Sequence, residues 1–274
     1  MESFGHSLIQ HGHLNDRVYL MKLADEEPPE IVPDLIDFAK RKGYGKIFAK
    51  IKRSRQQPFV ATGFAQEGQI PRFYSGKKDA VFLGLYLDPS RQQEAKPGLV
   101  REVLTLAEQK AQTEEHVPLP SGLTCRIAKP GDTEEMAGVY RQVFASYPFP
   151  IDDPAYLCRT MADNLIYFGA WQGDRLIALS STEMDRTNSN AEMTDFATLP
   201  ECRGQGIAQH LLQEMEAEMI RQKIQTLYTI ARAYSHGMNL TFSKNGYQFS
   251  GTLTSNTNIF GSLESMNIWY KNLS

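Results

Sequence analysis

A chain of 274 residues, 41% hydrophobic and 22% charged, can bury the core of one large domain or two ordinary ones and does not have the composition of a disordered chain. Its formal net charge of -3 gives no general attraction to nucleic acid or anionic lipid. Three scattered cysteines (Cys125, Cys158, Cys202) fit neither a disulfide framework nor a zinc site. The opening MESFGHSLIQHGH lacks the pattern of a signal peptide, and no apolar run is long enough for a bilayer. The expectation is a cytoplasmic protein with no metal, no nucleic-acid partner and no membrane partner.

Taken in chain order, Arg17–Leu23 (RVYLMKL) reads as a strand, and Pro29–Lys42 as a helix with Ile31, Val32, Leu35, Ile36 and Ala39 at helical spacing and Gly43 as its stop. KIFAKI (46–51) and AVFLGLYL (80–87) read as strands, and Leu99–Ala107 marks a helix. The polar and Pro-rich stretch from Thr113 to Gly122 is the expected boundary between residues 1–115 and 122–274. Beyond it come a strand at 123–127, a helix at 133–145 and the Pro-rich YPFPIDDP. A second helix at 155–162 and strands at 165–171 and 176–182 follow, the strands joined through Gln172-Gly173-Asp174. A β-α-β unit spans 191–231; a short helix stopping at Gly246 and two last strands complete the chain. The fold class is α/β with a mixed, partly antiparallel sheet. Strand-helix-strand, then Gly63-Phe64 and two strands, echoes strand-helix-strand, then Gly246-Tyr247 and two strands, which suggests a degenerate internal repeat.

The densest signal is TLPECRGQGIAQHLL (198–212). It is not a P-loop, because Gly206 is followed by Ile207 and Ala208 rather than Lys-Ser/Thr. It is not a dinucleotide fingerprint, because Gln209 stands where the third glycine is needed. A strand end, two glycines and a helix start with unpaired N–H groups still meet the demands of pyrophosphate binding. Ile207, Ala208, Leu211, Leu212, Met215 and Met219 form the stripe that would anchor the helix. Taken alone, such a loop is equally a tight turn before an ordinary helix.

In context, Arg203-x-x-Gly206-x-Ala208 after a strand, with the element order from Leu123 onward, resembles the GNAT superfamily of N-acetyltransferases over about the last 150 residues. That implies a C-terminal GNAT fold preceded by a smaller α/β domain, itself readable as a degenerate GNAT-like half, with acetyl-CoA as co-substrate. Arg203, Gly204, Gln205, Gly206, Ile207 and Ala208 would cradle the pyrophosphate, and Phe196, Ala197 and Thr198 would pair with pantetheine. SHGMNLTFSKNGY (235–247), the tail from Asn256, YPFPIDDPAYL (147–157) and the opening QHGHLNDRVYLMKL resemble, over nearly the whole chain, the AblB-type β-lysine N-acetyltransferases. The resemblance implies acetylation of the ε-amino group of β-lysine, giving a solute used against osmotic stress. Acetylation of another small amine or a protein lysine, or a non-catalytic acyl-CoA sensor, are the alternatives.

A lysine-like amine of pKa near ~10.4 is nucleophilic in about one molecule in a few thousand at neutral pH, so the site needs a base. Glu192 and Asp195 are the candidates; strand alternation predicts that they point to opposite faces, with Glu192 the favoured base. The N–H of Ala197 or Thr198 is the expected oxyanion donor. The tyrosine that many superfamily members use to protonate the thiolate is replaced by Phe242, leaving Tyr234, Ser243 or water. Tyr147, Asp152, Asp195, Asn239, Asn258 and Glu264 are the candidate partners of a small diamino acid. His11 and His13, the His210 side chain and the basic run KIKRSRQQ (50–57) are expected to be unrelated to function, the last two as solvated side chains.

Overall fold

The computed structural model describes residues 2–111, 118–145, 147, 149–259 and 261–273, so residues 113–117 of the expected boundary lie outside the described residues. The first sheet is built from β1 (Glu2–Phe4), β2 (Ser7–Gly12), β3 (Arg17–Lys22), β4 (Lys46–Lys52), β5 (Ala65–Tyr74) and β6 (Lys78–Tyr86), in the order β1-β2-β3-β4-β6-β5. Helix α1 (Ile31–Lys42) carries the crossover between the parallel strands β3 and β4. Its buried stripe is Ile31, Val32, Leu35 and Ala39, and Gly43 ends it at φ 71°, where a side chain would be strained. Helices α2 (Gln57–Ala61) and α3 (Pro97–Gln109) complete this half. The short strands β1 and β2 and the one-turn α2 escape the sequence reading because their runs are too short or too polar for a periodic signal.

The second sheet runs β12-β13-β11-β10-β9-β8-β7. Its strands are β7 (Leu123–Ile127), β8 (Leu165–Gln172), β9 (Arg175–Asp185), β10 (Asn190–Thr198), β11 (Thr226–Arg232), β12 (Gln248–Ile259) and β13 (Ser262–Asn272). The helices are α4 (Thr133–Val143), α5 (Pro154–Asp163), α6 (Ile207–Arg221) and α7 (His236–Lys244). Only β10 and β11 are parallel, joined by α6; every other pairing is antiparallel. Strands β8 to β13 therefore repeat the order and sense of β1 to β6, with α6 in the place of α1 and α7 in that of α2. The sequence echo is a topological identity.

The sheets meet along β5 and β12. Gly68 and Gly251 allow the contact, since a Cβ on Gly251 would fall 1.9 Å from the Glu67 carbonyl oxygen. Tyr19, Phe48, Phe73 and Phe82 from the first sheet and Tyr228, Leu253, Met266 and Ile268 from the second form one buried cluster between them. Helix α3 crosses the divide: Ala107 is buried with the core of the second sheet, and its carbonyl accepts from the Ser243 hydroxyl on α7.

Candidate active site

Strands β10 and β11 pair only at Asn190, Ala191 and Glu192, opposite Thr226, Leu227 and Tyr228. From Met193 to Thr198 the β10 main chain has no ladder partner on that side, which leaves a slot between the two strands. At the open end Arg203 Nε donates to the Thr198 carbonyl at 3.1 Å, bracing the turn. Gly204 and Gly206 lie at φ 78° and 77°, a region that excludes ordinary side chains, and Gly206 is the N-cap of α6. Among the described residues the N-cap makes no side-chain cap hydrogen bond, so the N–H groups and dipole of the first turn suit an anion. The buried Ile207, Leu211, Leu212, Met215 and Met219 fix the helix to the sheet as the stripe predicted, whereas Ala208 of that stripe is only half-buried.

Below the slot lies a cavity of about 320 Å³ lined from both sheets. Glu183 on β9, Glu192 and Asp195 on β10 and Tyr228 on β11 face Arg17, Tyr19, Phe48 and Lys50 on β3 and β4, with Tyr147 and Phe149 closing one side. The expectation that Glu192 and Asp195 point to opposite faces is wrong. The register of β10 on β9 shifts between Thr194 and Ala197, Asp195 takes φ 55°, and the bulge turns its carboxylate to the same cavity as Glu192. The bulge sits where the two strands part.

Burial pushes the Glu192 carboxyl up to about 7, against the ammonium of Lys50 and the Tyr228 hydroxyl, which pull it down. Lys50 Nζ donates to the Tyr228 hydroxyl at 2.7 Å. Glu183 is also raised by burial, with Lys50 opposing. Desolvation raises Asp195 too, offset by hydroxyl donors: Tyr147 at 2.5 Å and Ser181 at 2.6 Å. Glu183 and Glu192 share Lys50, Asp195 lines the same cavity, and the set contains a carboxyl group poised near neutrality, an arrangement that suits an ammonium and a general base.

The other expected residues are placed as follows. Phe196 lines the cavity with its ring edge-on to Phe242, whereas Ala197 is packed in the core and pairs with Leu179. Asn239 is fully buried and saturated: it donates to the carbonyls of Arg232 and Ser235 and accepts from Asn267 and Trp269, which locks α7 to the sheet. Asn258 closes the β12–β13 hairpin by accepting from Gly261, Glu264 holds Arg232 through two bonds of 2.9 and 3.0 Å, and Asp152 is exposed. None of these four lines the cavity. Tyr234 is bonded to Glu94 and Ser243 to Ala107, so neither hydroxyl faces the slot as a proton donor. His11 bonds Tyr44 and Glu2.

Two side chains expected in solvent are not there. The His210 side chain is 12% exposed, with Nδ1 buried and unpartnered among the described residues. Lys50 lines the cavity; in KIFAKIK the alternation puts Lys46, Phe48 and Lys50 on one face, and that face meets the second sheet. Glu183, Tyr228 and Arg17 were also missed. The signal for Lys46 and Lys50 was their spacing two residues on either side of Phe48 on a strand otherwise buried.

The acetyltransferase (GNAT) family profile matches residues 135–247. The chain is 38% identical over 265 residues to a beta-lysine N(6)-acetyltransferase of Methanococcus maripaludis, covering 97% of this chain and 96% of that one. It is 33% identical to the N-acetyltransferase YodP of Bacillus subtilis, over 97% of this chain and 96% of the relative. A beta-lysine N(6)-acetyltransferase of Methanosarcina mazei is 33% identical over 89% of this chain and 97% of its own. Among solved structures, an N-acetyltransferase from Staphylococcus aureus Mu50 superposes with a TM-score of 0.50 at 19% identity, over 56% of this chain and 100% of its own. The structure of yncA from Salmonella typhimurium with its cofactor acetyl-CoA also gives 0.50, at 13% identity, over 56% of this chain and 95% of its own. The likeness to the solved structures extends to the fold; the full-length relatives place the whole sequence, and the chain belongs to the GNAT family of acetyltransferases.

Proposed function

We propose that this protein transfers the acetyl group of acetyl-CoA to the ε-amino group of β-lysine, giving N6-acetyl-β-lysine. The observation that carries the reading is the split between β10 and β11, which opens above a base of raised pKa and ends at an uncapped helix start. The residues present fit acetyl-CoA: Gly204 to Ala208 present main-chain N–H groups to pyrophosphate, and Phe196 to Thr198 offer the free strand edge to pantetheine. The co-substrate supplies a thioester carbonyl open to attack. Glu192, as carboxylate, takes one proton from the ε-ammonium; the freed lone pair forms the N–C bond as the C–S bond breaks. The second amine proton leaves with the thiol, whose pKa near ~8.5 makes a tyrosine at position 242 dispensable. Asp195 and Glu183 hold the amine end, and Tyr147, bonded to Asp195, closes over it.

The same reading divides the chain into residues 1–115 and 122–274, the first a GNAT-like half without the acyl-CoA loop, and places the enzyme in the cytoplasm. Among the described residues no helix is long and apolar enough to cross a membrane. Mass detection of acetylated product from β-lysine, α-lysine and a lysine-containing peptide tests the function. Preference for β-lysine supports it; acetylation of the peptide alone, or CoA release at background with every amine although acetyl-CoA binds, overturns it.

A further inference from the structure

The cavity has a second end that the amine chemistry does not use. Arg17 begins β3 and is 6% exposed, yet among the described residues it forms no ion pair. The other two buried cations beside it are paired, Lys46 with Glu67 at 3.0 Å and Arg91 with Asp16 at 2.9 Å. Arg17 uses Nη1 alone, donating to the Asn256 carbonyl and to the Thr257 hydroxyl. Its Nε is buried without a partner, and so is the side-chain oxygen of Asn256. Both residues line the cavity. The guanidinium is held in place by the rings of Tyr19 and Phe48, whose centroids lie 5.5 and 5.7 Å away. A buried, unpaired guanidinium is costly unless a carboxylate completes it, and its planar fork suits a carboxylate bidentately.

We propose that Arg17 is the carboxylate-recognition residue of the substrate pocket, with the Asn256 side-chain oxygen beside it accepting from the β-ammonium. The proposal rests on the β-lysine reading and specifies how that substrate is oriented. On β3 and β4 Arg17 stands level with Lys46, four residues from Lys50, which is ~13 Å of extended strand. Lys50 marks the carboxylate cluster around Glu192, so the amine end and the acid end of a six-carbon diamino acid have separate, oppositely charged receptors. The first sheet supplies the receptor that the GNAT half lacks.

Three substrates separate the parts: β-lysine, 1,4-diaminopentane (the same skeleton without the carboxylate) and 6-aminohexanoate (the same skeleton without the β-amine). Wild-type protein is expected to prefer β-lysine over 1,4-diaminopentane by roughly 100-fold in kcat/KM, expressed in KM. Arg17→Met should collapse that ratio towards one, and Arg17→Lys should restore part of it. Damage to the fold lowers both substrates together and leaves the ratio unchanged, so an unchanged ratio in a folded Arg17→Met protein overturns the proposal. Asn256→Ala keeps the main-chain carbonyl that tethers Arg17; it should penalise β-lysine against 6-aminohexanoate, and equal loss on both removes the asparagine from the subsite. A wild-type preference near one overturns the role of Arg17 without any variant, while leaving acetylation of β-lysine standing. Failure to acetylate β-lysine at all, with acetyl-CoA bound, overturns the substrate reading and this orientation with it.

Discussion

The two sheets have the same strand order, yet they do opposite jobs. In the second, β10 pairs with β11 over three residues and leaves six free; in the first, β3 pairs with β4 over four of its six. Helix α6 starts at a left-handed glycine after a second one, with nothing negative in its first turn. Its counterpart α1 starts at Glu30, after Glu26, Glu27 and two prolines, with Asp34 in its first turn. Carboxylates there complement the helix dipole and would repel a phosphate. What it contributes is the face carrying Arg17, Tyr19, Phe48 and Lys50, laid against the open slot of the second. One strand order thus carries a glycine-flanked helix start in the second sheet and an acidic one in the first, with the cavity lined from both.

The sharpest break of this comparison is at the base. Glu192→Gln should lower kcat/KM by ~10²–10⁴-fold near neutral pH. The wild-type profile should rise through about pH 7 as Glu192 ionises, and the variant should lose that limb, keeping only the rise set by the amine itself. A pH-independent loss would make Glu192 structural. Next in size, Gly206→Val forces a branched side chain to φ 77°, and should raise the KM for acetyl-CoA about tenfold with the KM for the amine little changed. Initial-rate titration of each substrate checks the split. Lys50→Met tests the wall: its charge holds the Glu192 carboxyl down, so removal should move the acidic limb upward by about one pH unit. No movement would detach the first sheet from the chemistry. The smallest effect is expected at the silent helix start, where Glu30→Ala should leave the KM for acetyl-CoA unchanged.

Much of the candidate site was legible because the glycine loop and its helix are contiguous. Strand, paired glycines and apolar stripe from Phe196 to Met219 obey local rules, and so do Gly43 and Gly246 as helix stops and Gly173 as a hairpin turn. The cavity was harder to read. Asp195 joins Glu192 only because a bulge breaks the two-residue period, and a bulge leaves no fixed mark in a single sequence. Asn239, Asn258 and Glu264 look like ligands as a list of polar residues, and the fold uses them as a helix lock, a hairpin closure and an arginine clamp.

By itself the sequence determined most of the helices and the longer strands, because helical stripes and glycine turns are short-range consequences of backbone geometry, and its resemblance to GNAT acetyltransferases pointed to the family and the co-substrate. The tertiary structure decided which face of the first sheet is buried, and with it that Lys50 and Arg17 are pocket residues and not solvated cations. Burial across two sheets is a long-range property: KIKRSRQQ has the same letters whether β4 faces water or the second sheet, and the packing of the two sheets, close at Gly68 and Gly251 and filled by the aromatic cluster, sets which of the two it meets.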